Sequence, residues 1–118
     1  MSEQNYNATE LLICTASRLM EDHSTAFIGT GIPMLAGALA QKMHAPNLVT
    51  IFEFGGVGAI LEELPLAVGE RRSFHKALAA SGILDLVETA QRGFIEYGFL
   101  GGAQIDPYGN LNSTVIGE

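Results

Sequence analysis

Leu48-Val49-Thr50-Ile51-Phe52-Glu53, followed by Phe54-Gly55-Gly56-Val57-Gly58, is the stretch on which the fold turns. Residues 48–52 are all apolar or β-branched, the composition of a strand covered on both faces, as in a parallel sheet. The run stops at a carboxylate and then at glycines 55, 56 and 58. Immediately upstream, Pro33, Leu35, Ala36, Leu39, Ala40 and Met43 recur at helical spacing and predict a helix that begins at the proline and is ended by His44-Ala45-Pro46. Before it, Ala26-Phe27-Ile28 predicts a short buried strand that stops in the turn Gly29-Thr30-Gly31. Strand, helix and strand in this order make a βαβ unit.

Farther out, residues 8–21 predict an opening helix. Asn7 and Glu10 stand in capping-box spacing, and Tyr6 and Leu11 take the staple positions around that cap. Leu12, Ala16, Leu19 and Met20 form its expected buried stripe, with Cys14 as a small buried hydrophobe. Downstream, Leu64-Pro65-Leu66 is extended or turning. Residues 74–92 carry helical spacing broken by Ser81-Gly82, which predicts one interrupted helix or two short ones. Ile95 to Leu100 predicts a third buried strand closed by Gly101-Gly102, Asp106-Pro107-Tyr108-Gly109-Asn110 a turn, and Thr114-Val115-Ile116 the start of a fourth strand. The alternation implies an α/β fold: a mostly parallel sheet with helices on both faces, in one domain over residues 1–118. In such sheets ligands bind beyond the carboxyl ends of the strands.

Composition narrows the function. The chain has 118 residues, 47% hydrophobic and 16% charged, which excludes disorder and leaves apolar surface for a partner or for more of the same fold. Six Lys and Arg stand against thirteen Asp and Glu, for a net charge of −7. No basic face is available for nucleic acid, and the pair Arg71-Arg72 does not make a lipid-binding patch. No apolar run is long enough to span a membrane, Met1-Ser2-Glu3-Gln4-Asn5 lacks the start of a signal peptide, and a single cysteine cannot form an internal disulfide. Together these read as a cytoplasmic protein that binds neither nucleic acid nor membrane. His23, His44 and His75 lack metal-ligand spacing, so no metal site is expected.

Three glycine turns hold the polar residues of interest. Gly29-Thr30-Gly31-Ile32-Pro33 is either an ordinary βα turn or the anion-holding start of a helix. Glu53 ends the expected central strand, where a carboxylate is costly unless it faces a cleft or has partners. It reads either as a nucleophile or general base, with glycines 55, 56 and 58 admitting a substrate to the backbone, or as a strand-end carboxylate bonded to nearby N–H groups. Gly101-Gly102-Ala103-Gln104-Ile105-Asp106 is a third such turn, with Gln104 able to donate and accept, or else a structural hairpin or crossover.

These stretches resemble the β subunit of two-subunit CoA-transferases of the glutaconate and 3-oxoacid CoA-transferase type. The likeness runs along nearly the whole chain: Asn5-Tyr6 to Thr9-Glu10-Leu11, the Gly29 to Pro33 turn, Ala45-Pro46-Asn47-Leu48, Leu64-Pro65-Leu66-Ala67-Val68-Gly69 and, most specific, Gly101 to Thr114. The resemblance implies a CoA-transferase-like fold. It also implies that Glu53, which opens Glu53-Phe54-Gly55 where the family has Glu-Ser-Gly or Glu-Asn-Gly, is the nucleophile of a ping-pong reaction through a glutamyl-CoA thioester. It implies that Gly29, Gly31, Gly55, Gly101, Gly102 and Gln104 bind substrate or CoA, with backbone N–H groups of Gly31, Gly101 or Gly102 at the oxyanions and Gln104 orienting the substrate.

On this resemblance no cofactor is permanently bound, coenzyme A or acyl-CoA is a substrate, a carboxylic acid accepts the CoA, and an α subunit completes a hetero-oligomer. Two departures stand out. Phe54 replaces a small polar residue, and the chain ends where the family's first half ends, so an incomplete domain truncated at its C-terminal end is expected. The alternatives are a non-catalytic β-like interaction subunit and a CoA-ester lyase or hydrolase on the same scaffold. Large exposed apolar surface or self-association is expected of the isolated chain.

Overall fold

A computed structural model describes residues 5–117; Met1–Gln4, read above for a targeting signal, and Glu118 lie outside the described residues. The strands β1 (Thr25–Ile28), β2 (Val49–Phe52) and β5 (Tyr97–Phe99) run parallel, with β1 in the middle. Two short strands, β3 (Gly56–Val57) and β4 (Ala79–Ala80), extend the sheet antiparallel beyond β2, giving the order β4-β3-β2-β1-β5. The helices are α1 (Ala8–Leu19), α2 (Ile32–Met43) and α3 (Ile83–Gln91). A separate two-stranded ribbon, β6 (Gln104–Ile105) with β7 (Leu111–Asn112), ends the described chain. This is the α/β architecture expected, with a mixed, mostly parallel sheet.

Side-chain alternation explains the core. Ala26 and Ile28 of β1 pair with Thr50 and Phe52 of β2, so the four share one face, and all are fully buried. Helix α2 lies on that face through small residues: a Cβ on Gly37 would meet Ile28 Cδ1 at 3.4 Å and Thr50 Cγ2 at 3.8 Å. Tyr97 and Phe99 of β5 continue the face at the sheet's edge and pack against the same cluster. The connection from β1 through α2 to β2 and that from β4 through α3 to β5 cross the sheet in opposite directions. Right-handed crossovers therefore place α2 and α3 on opposite faces. Burial agrees, since Ile51 and Leu86 are buried apart from the α2-side cluster.

Two polar side chains tie the return limb after β3 to this core. Thr50 Oγ1, fully buried, donates to the Ala59 carbonyl at 3.1 Å. Gln41 Nε2 donates to the carbonyls of Leu48 (3.2 Å) and Ala59 (3.0 Å), while its Oε1 accepts from Leu61 N–H (3.1 Å).

Several local expectations shift. The capping box forms as read: Asn7 Oδ1 accepts from Glu10 N–H at 2.9 Å and Glu10 Oε2 from Asn7 N–H at 2.8 Å. The buried stripe of α1, however, consists of Ile13, Ala16, Ser17 and then Met20, whereas Leu12, Leu19 and Cys14 are exposed. Packing against α2 rotates the covered face away from the largest side chains. In α2 the buried residues are Pro33, Met34, Ala36, Gly37, Ala38 and Ala40, while Leu35 and Met43 are exposed. Close approach to the sheet favours the small residues. The region 74–92 holds only one helix, α3. A 3₁₀ turn over Arg71–Phe74 leads into it, and its first part carries β4, because pairing with β3 takes up the backbone there. Strand β5 is half-buried rather than buried, since it is an edge. The last strand is Leu111–Asn112, which pairs back on Gln104–Ile105, so residues 114–116 are not strand.

The glycines after Glu53 are required by this packing. Gly55 has φ of +117°, and a Cβ there would fall 1.9 Å from the Ser81 carbonyl oxygen; at Gly56 it would fall 2.0 Å from that of Ser73. Gly55→Ala should therefore lose about 2–3 kcal/mol of stability or fail to fold. Gly101→Ala, with open space on its Cβ side, should change stability by no more than about 0.5 kcal/mol. Urea denaturation midpoints of the two variants check both values.

Candidate functional site

Parallel pairing brings three strand ends to one edge of the sheet. Ile28 is level with Phe52 on one side and Phe99 on the other, so the next residues, Gly29, Glu53 and Leu100, stand side by side. Adjacent strands lie about 5 Å apart, which sets the spacing of these positions. Gly29 N–H donates to the Phe99 carbonyl at 2.8 Å, and a Cβ at Gly29 would press on Leu100 Cδ2 and Phe99 O, each at 3.2 Å. Gly29 is thus the glycine that lets β1 and β5 close together. Gly31, at φ +89°, caps α2 without a side chain, and its Cβ side is open. The positive end of the α2 dipole consequently faces the same edge as Glu53.

Glu53 is half-buried in the turn Phe52–Gly55, closed by Gly55 N–H donating to the Phe52 carbonyl at 2.9 Å. Among the described residues the hydrogen-bonded carboxylates are those of Glu10, Asp22, Glu62, Glu70, Asp85, Glu96 and Asp106, and Glu53 is not one of them. It also takes part in none of the ion pairs there. A strand-end carboxylate stapled to neighbouring N–H groups is therefore not what the geometry presents.

The remaining candidates divide. Gly55 lies beside Glu53, but its N–H is taken by Phe52, its carbonyl accepts from Ser81 N–H at 2.9 Å, and its Cβ side is filled by Ser81. At Gly55 and Gly56 the backbone that approaches closely belongs to the protein itself. Gly101 and Gly102 continue from β5 at the same edge and are exposed; Gly101 is open, while Gly102 faces the Leu111 side chain. Gln104 lies beyond them on the ribbon, where its Oε1 accepts from Asn112 Nδ2 at 2.7 Å.

Sequence reading missed the two serine carbonyls that pack on Gly55 and Gly56, and it missed Gly69, which backs the Phe54 ring. The adjacent glycines were the available signal for the first. It also set aside Arg71-Arg72, which with Glu62, Glu63, His75 and Lys76 line a cleft of about 600 Å³. Glu53 does not line that cleft. The Ile60 and Glu62 wall of the cleft follows the return limb after β3, and its Arg71 and Arg72 wall lies between Gly69, which backs Phe54, and Ser73, whose carbonyl packs on Gly56. The charges of the cleft are largely matched within it. Arg72 pairs with Glu63 and Glu70, and the Lys76 ammonium, then His75, hold Glu62 below the usual carboxylate range. Among the described residues no cluster of His, Cys, Asp and Glu suits a metal ion, and no helix is long and apolar enough to cross a membrane.

With this geometry in hand, comparison with known proteins is decisive: the coenzyme A transferase family model matches residues 9–118. The chain belongs to the coenzyme A transferase family. It is 35% identical over 114 residues to the B subunit of 3-oxoadipate CoA-transferase of Pseudomonas knackmussii, covering 96% of this chain and 44% of that protein. It is 31% identical over 119 residues to the B subunit of glutaconate CoA-transferase of Acidaminococcus fermentans, covering 97% of this chain and 45% of that protein. The crystal structure of glutaconate CoA-transferase from that organism matches with a TM-score of 0.81 at 29% identity, over 99% of this chain and 47% of that one. The decarboxylase AibA/AibB matches equally well, with a TM-score of 0.81 at 26% identity over 94% of this chain and 47% of that one. The chain spans a little under half the length of the curated relatives it matches.

The turn that follows the third strand end depends on Asp106. The Asn110 side chain and then the Asn110 backbone N–H hold its carboxyl below the usual range. A folded-state pKa below the unfolded one means that the charged form supports the turn at neutral pH and that this support is lost as pH falls below about 4. The amide signals of Tyr108 and Asn110, both donors to Asp106, should move over that interval in an NMR titration and stay fixed in Asp106→Ala.

Proposed function

We propose that this chain acts as the β-type subunit of a CoA-transferase, with Glu53 as the covalent nucleophile and an α-type subunit completing the site. The observation that carries the reading is an unpartnered, half-buried carboxylate at the end of central strand β2, level with Gly29 and Leu100 and beside the amino end of α2. Membership of the family supports CoA thioester chemistry in general, and both curated relatives are named as B subunits of CoA-transferases.

In the proposed cycle a Glu53 carboxylate oxygen attacks the acyl-CoA carbonyl and the C–S bond breaks, giving a mixed anhydride and CoA thiolate. The thiolate attacks the glutamyl carbonyl, forming the glutamyl-CoA thioester and releasing the first carboxylate. The acceptor carboxylate attacks that thioester, expels the thiolate and forms a new anhydride. Attack of the thiolate on the acyl carbonyl then yields the new acyl-CoA and restores Glu53. No proton or electron is consumed, so no metal or redox group is required. An unpaired carboxylate suits the first step, since no ion pair has to be broken before it attacks. Backbone N–H groups of Gly31, Gly101 or Gly102 serve the developing oxyanions in this reading, which the exposure of these glycines supports. With Gln104 Oε1 held by Asn112, its Nε2–H group is left for a substrate oxygen. The likeness to the decarboxylase AibA/AibB supports a second reading, a CoA-ester lyase on the same scaffold.

Acyl-CoA added to the chain assembled with its α-type partner, followed by borohydride, should convert Glu53 to the corresponding alcohol, located by peptide mass spectrometry. Glu53→Gln should abolish the label and lower kcat by about a thousandfold or more. An unlabelled Glu53 with substrate bound overturns the transferase reading, and release of CO2 without an acceptor acid would favour the lyase.

A further inference from the structure

We infer that Phe54 sets the acyl specificity of the Glu53 site, selecting acyl groups with an apolar tail over those that end in a second carboxylate. This rests on Glu53 being the nucleophile. Phe54 directly follows it in the tight turn Phe52–Gly55, so both residues occupy the same corner at the edge of the sheet. Phe54 is 55% exposed, and an aromatic surface left in water at the mouth of a site gains from any apolar group that covers it.

The ring is also backed by fixed structure. A Cβ at Gly69 would lie 3.3 Å from Phe54 Cγ and 3.4 Å from Cδ2, so the ring rests against the Gly69 backbone with no side chain between them. Gly69 follows Val68, which is buried and whose carbonyl accepts from the buried Ser73 Oγ at 2.8 Å. The wall beside the nucleophile is therefore anchored to the body of the domain.

The rest of the edge has the same character. Ile32 and Leu35 in the first turn of α2 and Leu100 beyond β5 are exposed apolar residues. Lys and Arg occur only at 18, 42, 71, 72, 76 and 92, so none falls in residues 26–35, 50–58 or 97–104; Arg71 and Arg72 follow Gly69 and line the neighbouring cleft, where Arg72 is paired with Glu63 and Glu70. A second carboxylate on the acyl group would lose water beside Phe54, whereas an alkyl tail would bury ring surface.

The test uses the chain assembled with its α-type partner, acetyl-CoA as donor, and butyrate or glutarate as acceptor. Butyrate should have the higher kcat/KM, and Phe54→Ser should lower the butyrate-to-glutarate ratio by about tenfold or more, chiefly through KM for butyrate. Phe54→Leu, which keeps apolar bulk and protects the fold, should hold the ratio within about threefold. Gly69→Ala, whose methyl displaces the ring without changing its chemistry, should also shift the ratio. Borohydride labelling of Glu53 is recorded in every variant. An unchanged ratio in Phe54→Ser and Gly69→Ala with Glu53 labelled overturns the specificity role alone. A wild-type preference for glutarate does the same. Absence of the label in the wild-type complex overturns the role of Glu53 and this inference with it.

Discussion

The parallel pairing of β1 with both β2 and β5 is the constraint from which the other features follow. Parallel neighbours cannot be joined by a tight hairpin, so each connection must leave the carboxyl edge and travel back across a face of the sheet. With Ile28 level with both Phe52 and Phe99, the three chains must all turn away within a residue or two of the same line. That crowding explains the glycines. Gly29 lets two strands approach, Gly31 supplies the left-handed bend into α2, and Gly55 gives way to the Ser81 carbonyl. The candidate site is the place where this crowding leaves one carboxylate, Glu53, without a partner.

The distribution of charge sharpens the point. Glu62, Asp22 and Asp106 are held below the usual carboxylate range by the Lys76 ammonium, the Asn47 side chain and the Asn110 side chain, respectively. Of the cations near 71–76, Arg72 pairs with Glu63 and Glu70 and Lys76 with Glu62. Glu53 is not among the residues that line the cleft beside Arg71 and Arg72, and it is the strand-end geometry that points to chemistry.

Large apolar side chains stay uncovered over much of the surface, including Leu11, Leu12 and Leu19 on α1, Leu84 and Val87 on α3, and Tyr108 and Ile105 on the ribbon. Exposure on this scale is what a partner-bearing surface looks like, and it agrees with the low charge and high apolar fraction of the chain. It also accounts for the misplaced helix stripes. A periodic pattern shows that a helix has an apolar side, but in α1 the side covered within this chain carries Ile13, Ala16 and Ser17, and the bulkier leucines face outward.

The order of the main elements, the capping of α1, the limits of β1 and β2, and Glu53 at a strand end were all readable from the amino-acid sequence, because each depends on neighbours within a few residues. The family resemblance was readable too, since its motifs are contiguous. Only the tertiary structure decided that 79–80 is an edge strand rather than helix, that 111–112 pairs back on 104–105, and that Phe54 lies on Gly69. It alone decided that Gly55 and Gly56 receive serine carbonyls and that Gly29, Glu53 and Leu100 share one edge. These are contacts between residues distant in the chain. Their free energy comes from pairing and packing that no local pattern encodes, so they exist only once the sheet has closed.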